Sequence, residues 1–161
     1  MKSMYDQFGI KVSGPRGSAA IYSEKAYEVS SFLENNHKER VDAARLIGKS
    51  RRIDRALDYA YKVFSTRSRA GRKVIVLLTA GRTASGSASI RKVADSLREL
   101  GVQIFVINVG RRVDSSVFNS LVDSPQDVIK VLPDSLRDTA EIISRKVSEK
   151  KGKIFLKFMC P

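Results

Sequence analysis

The chain has 161 residues, enough for one domain with a buried core. Apolar residues make up 42% of it, which is typical of a globular protein and argues against a disordered tail. Thirty basic residues against 17 acidic ones give a net charge of +13, so anionic partners are expected: acidic protein, sulfated glycan, nucleic acid or anionic lipid. One cysteine, Cys160, and one histidine, His37, argue against an internal disulfide, a cysteine-rich zinc site and Cys–His catalysis.

Nothing in the sequence predicts membrane insertion or secretion through this segment. No apolar run approaches the roughly 18 residues of a membrane span. The first eight residues hold no apolar stretch long enough for a signal peptide.

Strand and helix patterns alternate along most of the chain. They predict, in order, strands at 18–22 and 27–32, a helix at 53–64, a strand at 74–78, a helix at 90–100, a strand at 102–109, a short helix after Asp114, a strand at 127–132 and a last helix after Asp134. The run Val74–Leu78 is apolar throughout, as in a strand buried on both faces of a parallel sheet. Alternation of this kind predicts an α/β fold with an open, mostly parallel, doubly wound sheet flanked by helices. The segment Ile154–Met159 reads either as an extra strand or as an apolar tail.

Three patterns invite a chemical interpretation, and each has a simpler one. Ala43–Ser50 (AARLIGKS) loosely fits a phosphate-binding loop, but no strand precedes it and it has a single glycine, so a chance match is favoured. Asp54 and Asp58 share a helix face, where surface ion pairs with neighbouring cations explain them. The small hydroxyl residues of Gly81–Ser87 follow a predicted strand, where they suit either anion binding or helix capping, and capping is the simpler interpretation. The chain is therefore not expected to be an enzyme, with no catalytic residues and no cofactor.

Five segments in order resemble the von Willebrand factor A (VWA) domain family. They are GPRGSAAIYS at 14–23, SRRIDRALDYA at 50–60, RKVIVLLTAGR at 72–82, IRKVADSLRELGVQIFVINVG at 90–110 and SPQDVIKVL at 124–132. The resemblance implies a non-catalytic adhesion or assembly module of the extracellular-matrix type. It implies secretion and a partner such as collagen.

The resemblance also exposes a missing strand. The family opens with a central strand that ends in D-x-S-x-S, whereas this chain resembles the family only from the helix after that strand. We therefore expect an N-terminally truncated domain at 1–149, lacking the first central strand, and a basic, apolar tail at 150–161. An alternative is that Ile154–Met159 fills the vacant place between the strands at 18–22 and 74–78.

The family's metal-ion-dependent adhesion site (MIDAS) is predicted to be degenerate in this sequence. Its threonine position falls on Arg51, or on Ser50 if the loop shifts by one, and its aspartate position is Ala80. Hard cations need oxygen ligands, including carboxylates, and arginine side chains would repel them. We therefore expect no metal at this place.

The basic residues that follow or precede the strands suggest an anion site instead. The candidates are Arg51, Arg52, Arg82, Arg111 and Arg112, all in loops predicted at the carboxyl edge of the sheet, where open α/β sheets bind their ligands. Guanidinium groups there would suit an acidic protein or a sulfated glycan. A solvated basic rim without a ligand is the simpler interpretation. An intracellular, nucleic-acid-associated protein is the alternative function, disfavoured because aromatic residues are only 7% and tryptophan is absent.

Overall fold

The computed structural model describes residues 16–30, 52–67, 71–80, 83, 86–111, 115–135, 142, 145 and 154–159. Six strands lie in this part of the chain: β1 (Arg16–Tyr22), β2 (Ala26–Ser30), β3 (Lys73–Thr79), β4 (Val102–Val109), β5 (Val128–Val131) and β6 (Ile154–Met159). Three α-helices have both ends within the described residues: α1 (Ile53–Arg67), α2 (Ser87–Glu99) and α3 (Ser115–Leu121). Short 3-10 turns cover Pro125–Asp127 and Pro133–Ser135.

All six strands form one sheet in the order β2-β1-β6-β3-β4-β5. Only the β1–β2 pair is antiparallel, and the other four pairs are parallel. The predicted α/β class with an open, mostly parallel sheet is confirmed. Within the described residues no helix is both long and apolar enough to cross a bilayer.

The centre of the sheet is buried as the apolar runs predict. Strands β3 and β4 lie side by side, with Val76 level with Phe105, and helix α2 connects them in the chain. Ile75 is 0% and Phe105 1% exposed, so the expected adjacent, parallel and buried pair is confirmed.

Helix α1 shows the local reason for the helical layer. Its apolar stripe (Ile53, Ala56, Leu57, Ala60 and Phe64) is fully buried, because residues spaced three and four apart share one face of a helix. The stripe joins apolar residues of α2 and α3 in the main core, against sheet residues such as Ile75 and Leu77.

Strand β5 begins one residue later than predicted. Asp127, expected as the first strand residue, ends the 3-10 turn that begins at Pro125. Proline suits the first position of such a turn because it has no N–H to satisfy, and the Ser124 hydroxyl accepts a hydrogen bond from the Gln126 N–H at 3.4 Å. Asp127 is then held by Gln103 of β4, whose Nε2 donates to Oδ2 at 3.1 Å.

The C-terminal segment corrects the expectation of a tail. Strand β6 lies between β1 and β3 and runs parallel to both, which is the alternative considered above for Ile154–Met159. An apolar strand gains two backbone ladders there, whereas a tail would leave its apolar residues in water. The predicted last helix lies largely outside the described residues; Ile142 and Arg145 are helical, and Asp134 belongs to a 3-10 turn.

Gly101 ends helix α2 and gives a direct test of this local structure. Its φ is +72°, and its N–H donates to the Arg98 carbonyl at 2.8 Å. We expect Gly101→Ala to lower the free energy of unfolding by about 1 kcal/mol, because a Cβ is strained at that backbone angle. Chemical denaturation measures it.

The matched control for this substitution is Ser89→Ala, at an exposed position of the same helix. It should leave stability unchanged or slightly raised, since alanine is the better helix former. Equal losses from the two variants would contradict the assigned helix end.

Candidate functional site: the carboxyl edge of the sheet

Five parallel strands end on one side of the sheet, which we call the carboxyl edge. The last residues of these strands are Tyr22, Thr79, Val109, Val131 and Met159. Loops at this edge are where α/β sheets of this kind bind ligands. The described part of the edge contains two of the predicted arginines, Arg52 and Arg111.

Arg52 is held at this edge by the turn between β1 and β2. Its backbone N–H donates to the Ser23 carbonyl at 3.1 Å, which places the first turn of α1 beside the end of β1. Its guanidinium donates two hydrogen bonds to the Asp54 carboxylate, from Nε to Oδ1 at 2.9 Å and from Nη2 to Oδ2 at 2.6 Å. These bonds and the carboxylate charge raise the pKa of Arg52 further above its already high usual value.

Asp54 is nearly fully buried, at 4% exposure, which differs from the surface ion pair expected for it. A carboxylate in the first turn also complements the positive end of the helix. The pair with Arg52 therefore fixes the start of α1, and only part of the guanidinium is left to face a ligand.

Arg111 is exposed two positions after β4. Gly110, immediately before it, has a φ of +102° and donates its N–H to the Val131 carbonyl at 2.8 Å. This bond ties the turn to the end of β5 and directs the chain out of the sheet. Of the other predicted site residues, Arg51, Arg82, Arg112 and Ser50 lie outside the described residues, so the convergence of all five arginines stays a prediction.

The two described arginines stand on strand ends that are far apart. Between the end of β1 and the end of β4 lie β6 and β3, so three strand spacings separate them. At about 4.8 Å per spacing this amounts to roughly 14 Å. This is a separation between the backbones of the two strand ends, and an extended polyanion that runs along the edge can contact both arginines.

Ala80 leaves the expected metal position without a donor. It follows β3 at the carboxyl edge and carries only a methyl group, while Asp54, the acid at the start of α1, is bound to Arg52. In the part of the chain that the structure describes, no three His, Cys, Asp or Glu side chains gather where they could hold a metal. A divalent cation needs carboxylate and other oxygen ligands, and among the described residues this edge groups no such set, while the loss of the metal site stays a prediction.

Beneath this edge lies a buried polar pair that the sequence analysis missed. Thr79 is level with Asn108 on the neighbouring strand, and the two are 1% and 0% exposed. Among the described residues the Thr79 hydroxyl has no hydrogen-bond partner. Both residues lie in or next to the apolar runs of the strands, so the sequence pattern predicts that they are buried. That they lie level with each other depends on the register of β3 and β4, which the sequence does not show.

A cleft beside the β1–β2 turn adds cations that the sequence analysis did not single out. The cleft has a volume of about 350 Å³ and is lined by Glu24, Lys25, Ala26, Arg55, Asp58, Tyr59 and Lys62. The α1 residues among them repeat at helical spacing and so form one outward face. Within the described residues, the Lys25, Arg55 and Lys62 side chains form no ion pair with a carboxylate.

A contact between β2 and α1 lies next to Tyr59 of this cleft. Arg67 Nη1 donates to both carboxylate oxygens of Glu28 at 3.1 Å. Burial, together with the adjacent Glu28 carboxylate, raises the pKa of Tyr59 well above its usual range. Tyr59 is half-buried and forms part of the cleft surface as a neutral phenol.

The family profile of the von Willebrand factor type A domain matches residues 1–145 of this chain. Among curated proteins, no sequence matches it significantly.

Solved structures share the fold at low sequence identity. The manganese-loaded TRAP protein of Plasmodium vivax is 13% identical, with a TM-score of 0.68 over 85% of this chain and 60% of that one. A von Willebrand factor type A protein from Catenulispora acidiphila is 18% identical, with a TM-score of 0.72 over 90% and 36%. Proximal thread matrix protein 1 from the mussel byssus, with a zinc-occupied MIDAS motif, is 23% identical, with a TM-score of 0.73 over 91% and 38%. This chain therefore spans less than two thirds of the length of each.

The buried Thr79 hydroxyl leads to a stability prediction. We expect Thr79→Val to raise the free energy of unfolding by about 1 kcal/mol, since it removes a buried hydroxyl that has no hydrogen-bond partner among the described residues. Denaturant unfolding measures the difference. Thr66→Val, at an exposed position, is the control and should change stability by less than about 0.5 kcal/mol. A clear loss of stability in Thr79→Val would mean that the hydroxyl has a partner.

Proposed function

Because this chain belongs to the von Willebrand factor type A domain family, we propose that it is a non-catalytic binding module that engages an extended anionic partner through the carboxyl edge of its sheet. Domains of this family typically mediate protein interactions. The partner is an acidic or sulfated polymer, or a matrix protein such as collagen. Its binding requires no metal ion.

The distribution of exposed cations along this surface is the observation that carries this proposal. Arg111 and the cleft cations Lys25, Arg55 and Lys62 form no ion pair within the described residues. The strand ends beside Arg52 and before Arg111 are roughly 14 Å apart, so the cations are spread along the edge rather than gathered at one point. A polymer with repeated sulfate or carboxylate groups meets this arrangement, and bidentate guanidinium contacts suit both groups.

The cleft supplies a second set of contacts along the same surface. Arg55 lies in the first turn of α1, close in sequence to Arg52, and Lys62 lies two turns further along. Because Lys25, Arg55 and Lys62 form no ion pair within the described residues, an anionic ligand breaks no existing ion pair to reach them. Glu24 and Asp58 in the same cleft favour a ligand whose anionic groups are spaced rather than continuous.

An extracellular, secreted setting is part of the proposal. The family resemblance supports it, as does the similarity to a thread matrix protein of the mussel byssus. The net charge of +13 suits the sulfated polysaccharides of such a setting.

Binding to heparin, a sulfated polysaccharide, tests the site. The variant Arg55→Ala/Lys62→Ala/Arg111→Ala should weaken binding by roughly threefold to 150-fold in calorimetry at about 0.1 M salt, taking about 0.2–1 kcal/mol for each exposed charge. The salt dependence of binding should become shallower, since fewer counterions are released.

The matched control removes the same number of charges elsewhere. Arg91, Lys92 and Arg145 are exposed helical cations outside the cleft and outside the loops that follow the strands. Arg67 and Arg72 are unsuitable as controls, because Arg67 is paired with Glu28 and Arg72 with Gln103, so both stabilise the fold. Equal losses from the two triple variants would mean that only net charge matters and would overturn the site. Tighter binding to duplex DNA than to heparin at equal salt would favour the nucleic-acid alternative.

Metal independence has its own test. Titration with Mg²⁺ or Ca²⁺ should leave the melting temperature unchanged and, at constant ionic strength, should not strengthen heparin binding, because Ala80 offers no ligand and Asp54 is engaged by Arg52. Thermal unfolding with and without a chelator measures this. A saturable rise of several degrees that the chelator abolishes would contradict the proposal.

A further inference from the structure

The cleft beside the β1–β2 turn carries charges of both signs, and they are not paired with each other. Lys25, Arg55 and Lys62 bring positive charges to it, and Glu24 and Asp58 bring negative ones. Within the described residues, neither carboxylate accepts a side-chain hydrogen bond or forms an ion pair with these cations. Both the cations and the carboxylate oxygens are therefore available to a ligand.

This mixture of charges sets a condition on the ligand that the net charge of the chain does not. Three positive and two negative side chains leave the cleft with a net charge of only +1. A ligand with anionic groups alone is attracted by the cations and repelled by Glu24 and Asp58. An ionised carboxylate only accepts hydrogen bonds, so it suits a donor. The ligand that uses the whole cleft therefore carries hydrogen-bond donors beside its anionic groups.

The rest of the lining adds two further conditions. Tyr59 is half-buried and neutral, and together with Ala26 it gives the cleft an apolar part. The volume of about 350 Å³ is at the lower end of the roughly 300–1,000 Å³ of small-ligand sites, so a short piece of a polymer fits rather than a long stretch. A sulfated or carboxylated sugar unit meets all these conditions, because it has hydroxyls that donate, an anionic group, and a ring with apolar C–H faces.

We propose that the cleft binds an acidic sugar unit of a glycan, whose hydroxyls donate to Glu24 and Asp58 while its sulfate or carboxylate is bound by the cations. The inference rests on the proposed function and narrows its partner to a sulfated or uronic-acid glycan. Arg55, Asp58 and Lys62 are three or four positions apart on α1 and so share one helix face, where they can contact neighbouring groups of the same sugar unit.

Two polymers that share sulfate groups but differ in hydroxyl groups test this assignment. Heparin has hydroxyls on its sugar rings, whereas fully sulfated poly(vinyl sulfate) has none. In the full-length protein, Asp58→Ala removes an acceptor and a negative charge, and the lost charge favours both polymers. The ratio of heparin affinity to poly(vinyl sulfate) affinity therefore isolates the hydrogen bond. We expect this ratio, measured by calorimetry at constant salt, to fall roughly threefold to tenfold, as for the loss of one hydrogen bond.

Three further variants control for charge and for folding. Glu99→Ala removes an exposed carboxylate at the end of α2, outside the cleft, and should leave the ratio unchanged. Asp58→Asn loses the same charge as Asp58→Ala but keeps an acceptor oxygen, so it should retain more of the preference for heparin. Glu24→Ala, in the exposed turn between β1 and β2, should lower the ratio as well, and gives the same test should Asp58→Ala fail to fold.

Three outcomes would contradict the inference, and they are distinguishable. An unchanged ratio in Asp58→Ala and Glu24→Ala, with both polymers bound more tightly, would overturn the sugar site and leave the proposed function intact. If Asp58→Ala weakens binding of polyglutamate as much as binding of heparin, backbone N–H groups are the donors and the partner is an acidic polypeptide. Failure of the unaltered protein to bind either sulfated polymer would overturn the proposed function, and this inference with it.

Discussion

Two backbone edges, one on β1 and one on β3, face each other across the width of a single strand. Their N–H and C=O groups need partners, because unpaired polar groups inside a sheet cost free energy. Strand β6 meets that need along both edges. The position of the β1–β2 hairpin relative to β3, β4 and β5 depends on this pairing, and so does the position of α1, whose first turn is bonded to the hairpin through Ser23.

The geometry of the candidate binding surface also depends on the position of β6. Arg52 is placed by β1 and α1, and Arg111 by β4 and β5, so β6 sets the distance between them. A sheet closed without β6 would bring these strand ends one spacing nearer, about 5 Å. The distance between these two cations therefore depends on how the sheet is assembled.

The excess positive charge is not equally available to a ligand. Arg52, Arg67 and Arg98 are paired with carboxylates, and burial lowers the pKa of Arg72, whose guanidinium is bonded to Gln103. These four residues stabilise the fold. Within the described residues, Arg111 and the cleft cations Lys25, Arg55 and Lys62 form no ion pair with a carboxylate. The proposed ligand surface therefore depends on these four side chains rather than on the net charge of +13.

Two of the solved structures that share this fold contain manganese or zinc, so we compare the metal ligands that such a site needs with Ala80 of this chain. They share the fold at 13% and 23% identity, which says nothing about the donors in this chain. Here Ala80, the residue after β3, has only a methyl side chain, and it follows Thr79, which is buried and level with Asn108 of β4. Asp54, the acid at the start of α1, is bound to Arg52. The ligands available to this chain therefore have to be judged from its own residues, and Ala80 supplies no side-chain oxygen after β3.

The sequence by itself determined the α/β class, the buried β3–β4 pair and the apolar stripe of α1, because these follow from local periodicity. It also located Arg52 and Arg111 near strand ends, since the loops that follow parallel strands all lie at the same edge of the sheet. Only the tertiary structure decided that Ile154–Met159 lies in the centre of the sheet, that Arg52 is bound to Asp54, and that Lys25, Arg55 and Lys62 share a cleft. These outcomes depend on contacts between residues far apart in the chain, or on the competition of several cations for one buried carboxylate. Local pattern carries no information about either, because the free energy that selects them arises only when the separate elements are packed together.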